Sequence, residues 1–166
     1  MFKQNKGKDN RYTLTPELVC QGLSNVRWPG RLEKIMDAPL VILDGAHNLK
    51  AAQVLAKYLA SHLGDKKLTL VIGVLDDKPY EQMLRHLVPL AHRVVITKAK
   101  IDRSLETGVL KSAVENFFKG EVRIIEDVGA AVSHAISTSS KNDAVCIAGS
   151  LYVAGEAKEK FNMDFI

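Results

Sequence analysis

The chain has 166 residues, 46% hydrophobic and 25% charged, with a formal net charge of +4, a balance that suits one globular domain able to bury its own core. No apolar run approaches the ~18 residues that span a membrane, and the opening MFKQNKGKDN has no apolar stretch of a secretory signal, so a cytoplasmic protein without membrane contact is expected. The charge is uneven: Lys3, Lys6, Lys8 and Arg11 stand against Asp9 in the first eleven residues, but no interleaved aromatic and basic pattern points to nucleic acid.

Residues 1–10 are polar and aperiodic and read as a disordered tail or the remnant of a linker, with the domain running over 11–166. Thr15-Pro16-Glu17 is a helix start, with Thr15 as N-cap and Pro16 in the first turn, and this short helix ends near Gly22. Pro29-Gly30 turns the chain, and Arg31 to Ile35 reads as a strand. Asp37-Ala38-Pro39 turns it back into a second strand, Leu40 to Leu43, so the pair is expected to be an antiparallel hairpin. The next helix, 49–63, carries Ala52, Leu55, Leu59 and Leu63 on its buried stripe and turns Lys50, Gln53 and Lys57 to water.

Strand Leu68 to Ile72 runs into the loop GVLDDKP, and Pro79 opens a helix with Met83, Leu84, Leu87 and Val88 inward. After strand Arg93 to Thr97, the loop KAKIDRS is polar and expected to be mobile. Helix 105–118 is expected to bury Val109, Ala113, Val114 and Phe117. Strand Val122 to Ile125 leads to Asp127, an N-cap for the helix bearing Val128, Val132, Ala135 and Ile136. Strand Ala144 to Ala148 ends at Gly149-Ser150, and a last helix spans about 151–160. Strand and helix alternate along the chain, which predicts an α/β fold: a Rossmann-like, three-layer arrangement with about six strands, mostly parallel, and one antiparallel edge strand. The two cysteines, Cys20 and Cys146, lie in apolar segments and read as core residues; no CxxC or metal-ligand spacing accompanies them.

The stretch Pro39 to Asn48, PLVILDGAHN, is the centre of the functional reading. A buried strand runs into a tight polar turn and then a helix, the place where open α/β sheets hold ligands. Asp44, His47 and Asn48 occupy that turn. The plainer reading is that Asp44 and Asn48 only cap the helix and His47 only fills the turn. The chain has no GxxxxGK[ST] phosphate loop, no GxGxxG and no nucleophile elbow, so a self-contained catalytic set is not expected.

WPGRLE at 28–33, LDGAHN at 43–48, GVLDDK at 73–78 and AGSLY at 148–152 occur in one order. Together they resemble the C-terminal domain of folylpolyglutamate synthase/dihydrofolate synthase, a member of the Mur ligase superfamily. The resemblance implies an ATP-dependent ligase that joins L-glutamate to folate or dihydropteroate through an acyl phosphate. It also implies that the ATPase domain, with its phosphate loop and Mg2+ ligands, is an N-terminal partner absent from this sequence, so that the chain alone is inactive. A monomer is expected, with ATP, folate or dihydropteroate, and glutamate as ligands.

On the same resemblance, Arg31 reaches ATP as the arginine of the GR motif; alone it would pass for a surface arginine. Asp44 holds the nucleotide, accepting from ribose hydroxyls or orienting the arginine. His47 is the catalytic candidate, lining the cleft toward the acceptor glutamate. Lys78 and Ser150 are candidates for binding the substrate carboxylate, although Pro79 stands where the family has aspartate, which leaves Lys78 equally readable as a loop lysine, and Ser150 equally as an N-cap. Leu49 replaces a proline that would only pre-set the first helical turn. The alternatives are the corresponding domain of a peptidoglycan Mur ligase, disfavoured by WPGRLE, and a stand-alone Rossmann-like binding module.

Overall fold

The computed structural model describes residues 14–26 and 28–164, with side chains through Phe161. The expected tail at 1–10, with Lys3, Lys6 and Lys8, lies outside the described residues, as does Arg11. Six strands form one sheet: β1 (Glu33–Asp37), β2 (Leu40–Leu43), β3 (Leu68–Ile72), β4 (Arg93–Ile96), β5 (Glu121–Ile124) and β6 (Ala144–Ala148). Their spatial order is β1-β2-β6-β3-β4-β5. All neighbours are parallel except β1 and β2, which form the antiparallel pair at one edge. The helices are α1 (Pro16–Ser24), α2 (Leu49–His62), α3 (Tyr80–Leu87), α4 (Thr107–Glu115), α5 (Val128–Ser137) and α6 (Leu151–Asp164).

The period-2 alternation of strand side chains divides the core in two. Ile42, Leu70, Ile72, Ile96 and Cys146 point to one face, where α2, α3 and α4 cover them. Val41, Leu43, Val71, Val95 and Ile147 point to the other, under α5 and α6. The inner strands β3 and β6 are buried at every position, as parallel strands between helical layers must be. Edge strand β5 is mostly exposed and carries Glu121 and Arg123, charges that discourage further strand pairing. Among the described residues no helix is long and apolar enough to cross a membrane.

From β2 the chain moves outward through β3, β4 and β5, then returns to insert β6 between β2 and β3. The segment after β2 leaves toward one helical layer and the segment after β6 toward the other. The carboxyl ends of β2 and β6 therefore flank the crevice where strand order reverses, the ordinary ligand position in such sheets.

Four expectations differ from the structure. The first strand starts at Glu33, so Arg31 lies in the turn before it, where Leu32 adopts a left-handed φ of 45° that no strand tolerates. Cys20 is exposed, because α1 buries none of its side chains: its stripe, Leu18, Val19 and Leu23, faces outward. Val109 is 48% exposed while Leu110 is fully buried; α4 begins at Thr107, and its inward stripe is Thr107, Leu110, Ala113 and Val114. The loop after β4 is pinned: the Ser104 hydroxyl donates to the Ala99 carbonyl at 2.7 Å, the Lys100 amide donates to Glu156 at 2.7 Å, and the Asp76 amide donates to the Arg103 carbonyl at 3.0 Å.

Helix α5 starts where the Asp127 carboxylate accepts the Ala130 amide at 2.8 Å. That bond, and behind it the Lys100 ammonium, holds the Asp127 carboxyl below its ordinary range. Asp127→Ala should cost about 0.5–2 kcal/mol and Asp127→Asn less, since an amide oxygen also caps; urea unfolding of the chain, expected as one transition, measures both.

Candidate functional site

Val41, Ile42 and Leu43 are apolar on both faces, which buries β2 and delivers Asp44 to the carboxyl edge of the sheet at 7% exposure. Parallel pairing aligns Leu43 with Ile147 and Ile147 with Val71. The three strand ends thus bring Asp44, Gly73 and Gly149-Ser150 to one lip. The Asp44 amide donates to the Ile147 carbonyl at 2.9 Å, and the Gly73 amide donates to the Ala148 carbonyl at 3.3 Å. The lip has no room for more: a Cβ on Gly149, whose φ is 106°, would lie 2.5 Å from the Gly73 carbonyl oxygen, and one on Gly73 would lie 2.6 Å from that of Thr97.

The Asp44 carboxylate bridges two segments. One oxygen accepts the Leu32 amide at 2.8 Å, the other the Ala46 amide at 2.8 Å. It neither caps α2 nor pairs with a cation among the described residues. Its work is on the turn that carries Arg31, to which the Gly45 amide adds a bond to the Gly30 carbonyl at 2.7 Å. The left-handed φ of Leu32 costs roughly 1–2 kcal/mol, and a hydrogen bond to a charged acceptor, worth roughly 1.5–3 kcal/mol, offsets it. Burial pushes the nearby Cys146 thiol up, and the Asp44 charge adds to this, so Cys146 is an inert core group.

His47 is half-buried, and its Nδ1 lies 2.8 Å from the Gly45 carbonyl oxygen. A carbonyl only accepts, so Nδ1 carries the proton and, in the neutral ring, Nε2 keeps its lone pair. Asn48 caps α2 by accepting the Ala51 amide at 2.9 Å. Arg31, Asp44, His47, Asn48 and Lys50 line one open cavity of about 460 Å³, floored by Val54 and Leu55. The Arg31 side chain also borders a second hollow of about 550 Å³ with Trp28, Glu33 and Lys158. Among the described residues neither Arg31 nor Lys50 has an ion-pair partner, and none of them form a cluster of three or more metal-ligating side chains.

Lys78 and Ser150 share the sheet edge but do not line that cavity. Lys78 binds Asp77 at 2.8 Å, and Arg103 stands 3.5 Å from the same carboxylate; the Lys78 hydrogen bond holds the Asp77 carboxyl below its ordinary range. Ser150 is buried, and its hydroxyl accepts the Tyr152 amide at 3.1 Å. Three participants escape a reading of the sequence. Lys50 reads as a solvated helix lysine yet lines the cavity. Glu33, inside the WPGRLE stretch, accepts the Gly30 amide at 2.7 Å and the Lys158 ammonium at 2.6 Å. Lys158 lies 125 residues further on, so only its fold neighbour reveals it.

Residues 30–151 match the family described as "Mur ligase, glutamate ligase domain", and the chain belongs to that family. More particularly, it is 30% identical over 92% of its length to dihydrofolate synthase/folylpolyglutamate synthase of Bacillus subtilis, and covers 35% of that protein. It is 34% identical over 90% of its length to a probable bifunctional folylpolyglutamate synthase/dihydropteroate synthase of Halobacterium salinarum, covering 18% of it. The crystal structure of Mycobacterium tuberculosis folylpolyglutamate synthase complexed with ADP and AMPPCP superposes with a TM-score of 0.81 at 33% identity, over 89% of this chain and 35% of that one. The chain therefore spans about a third of the Bacillus and Mycobacterium proteins, and less of the Halobacterium one.

Asp44→Asn exchanges one acceptor oxygen for an NH2 group that must face a backbone amide. It should destabilise the domain by about 1–3 kcal/mol, read from the urea midpoint; an unchanged midpoint would mean that the bridge to Leu32 and Ala46 contributes nothing.

Proposed function

We propose that the chain is the C-terminal, glutamate-ligase domain of a cytoplasmic ATP-dependent ligase joining L-glutamate to folate or dihydropteroate. The carrying observation is the cavity that gathers Arg31, Asp44, His47 and Lys50 at the carboxyl edge within the family-matched segment. ATP supplies the phosphoryl group that turns the acceptor carboxylate into an acyl phosphate. Relatives support the ligands: the Mycobacterium enzyme was crystallised with ADP and AMPPCP, and one from Yersinia pestis with AMPPNP and a manganese ion. Mg2+ is assigned to an N-terminal ATPase domain with its own phosphate loop.

Within this reading Arg31 presents a planar fork of donors to the nucleotide phosphates. Asp44 sets where that fork stands by holding the Leu32 amide. His47, with Nδ1 occupied by the Gly45 carbonyl, turns Nε2 toward the glutamate amine and accepts its hydrogen as the amide forms. Ser150 and Lys78 lie further along the edge, where they meet the carboxylates of the incoming glutamate. The enzyme acts as a monomer, without nucleic-acid or membrane partners.

In the full-length ligase, Arg31→Ala should lower kcat about a hundred- to a thousand-fold, the loss of about 2.7–4 kcal/mol typical of a donor that stabilises developing charge, with a smaller change in folate KM. The melting temperature should hold, because Arg31 is exposed and has no ion-pair partner among the described residues. A normal rate with a lowered melting temperature would make Arg31 structural.

The 166-residue chain alone should release no ADP from ATP, folate, glutamate and Mg2+. Turnover of about 1–1000 per second would overturn the assignment of the phosphate-binding machinery to another domain.

A further inference from the structure

The turn that carries Arg31 is restrained far beyond what an exposed turn needs. Three bonds hold its backbone to other parts of the sheet edge: the Gly30 amide donates to Glu33 at 2.7 Å, the Gly30 carbonyl accepts the Gly45 amide at 2.7 Å, and the Leu32 amide donates to Asp44 at 2.8 Å. A fourth closes the turn on itself, from the Arg31 amide to the Trp28 carbonyl at 3.2 Å. Glu33 is in turn tied across the fold, its second oxygen receiving the ammonium of Lys158 on α6 at 2.6 Å. Both side chains are half-buried, Lys158 at 34% and Glu33 at 25% exposure. The Arg31 side chain itself makes no hydrogen bond or ion pair among the described residues.

From this we infer that Glu33, held by Lys158, is a positioning residue for Arg31: the pair fixes the direction in which the turn presents the guanidinium to the nucleotide phosphates. The inference rests on the nucleotide role proposed for Arg31 and extends it to two residues outside the cavity. Three features carry it. Glu33 stands opposite Leu43 in the β1–β2 ladder, so its carboxylate shares the face of Leu43 and reaches Lys158 on α6, while Asp44 lines the cavity against α2; the two anions hold the Gly30 and Leu32 amides, one on each side of Arg31. The ladder slips immediately afterward, between Lys34 and Met36, so the regular pairing that would otherwise restrain this end of β1 is short. Burial raises the Glu33 carboxyl, but the bonds from Lys158 and Gly30 outweigh it and leave the group below the ordinary carboxylate range, so both acceptor oxygens stay charged and available at neutral pH. A simpler role, stitching the edge strand to α6, would stabilise the fold without touching the chemistry.

A double-mutant cycle in the full-length ligase separates the two roles. Glu33→Ala should lower kcat between about 10- and 100-fold, the range expected when a reacting group is misplaced by about 1 Å. In an Arg31→Ala background the same change should lower kcat less than about twofold, since the arginine it positions is gone. Glu33→Gln keeps an acceptor for the Gly30 amide and should recover part of the rate; Lys158→Met, which leaves the Gly30 bond in place, should give an intermediate loss and serves if Glu33→Ala does not fold. Equal kcat losses from the Glu33 or Lys158 change in both backgrounds, with Arg31→Ala itself impaired, would overturn the positioning role and leave the Arg31 assignment standing. An Arg31→Ala enzyme of normal rate would overturn both.

Discussion

The buried carboxylate of Asp44 is the constraint on which the rest of the site depends. An anion at 7% exposure beside a fully apolar strand is costly unless its oxygens are hydrogen-bonded. Here one oxygen takes the Leu32 amide and the other the Ala46 amide, so the charge is spread onto backbone dipoles from two segments far apart in sequence. That arrangement makes the turn before β1 and the turn after β2 one unit. It holds Leu32 in a conformation it would not adopt alone, and it leaves the nearby arginine with no carboxylate of its own among the described residues.

The unit is seated on a tight foundation. A side chain on Gly149 would meet the Gly73 carbonyl at 2.5 Å, and one on Gly73 would meet the Thr97 carbonyl at 2.6 Å. Backbone cannot yield as a flexible side chain can, so the ends of β6, β3 and β4 are locked in sequence at van der Waals contact. Their locking sets the height of Ile147, whose carbonyl receives the Asp44 amide. The position of Arg31 is thus traceable through Asp44 to the packing of two glycine turns in the centre of the sheet.

How much of this was legible in the sequence follows from where each signal is local. The strands at 40–43, 68–72 and 144–148 have the expected bounds, because burial on both faces writes a continuous apolar run. Helix α2 shows the expected stripe, since an amphipathic helix against a flat sheet encodes its own inner face. Elements whose partner is remote were misread. Val109 and Leu110 are equally apolar, and only the start of α4 decides which is buried; Cys20 sits in an apolar helix none of whose side chains is buried. The loop at 98–104 is polar because its polar groups bind the chain itself, through Glu156 and Ala99, which composition cannot distinguish from solvation. In the site, Asp44, His47 and Asn48 were legible as a strand–turn–helix motif, while the exchange between Glu33 and Lys158 has no local signature.

The electrostatics of the cavity follow from the same accounting. Two cations, Arg31 and Lys50, border it, and the start of α2 points there with its positive end, the Ala51 amide already taken by Asn48. The one anion in its wall, Asp44, has both oxygens engaged with backbone amides, and the two cations outnumber it. The field inside is therefore positive, although an aspartate lines the wall, and it favours phosphate or carboxylate over a cationic ligand. Had Asp44 paired directly with Arg31, the guanidinium would have lost its donors to an internal partner. Routing the carboxylate to the backbone fixes the arginine's position and leaves its charge available, as the nucleotide role proposed for Arg31 needs.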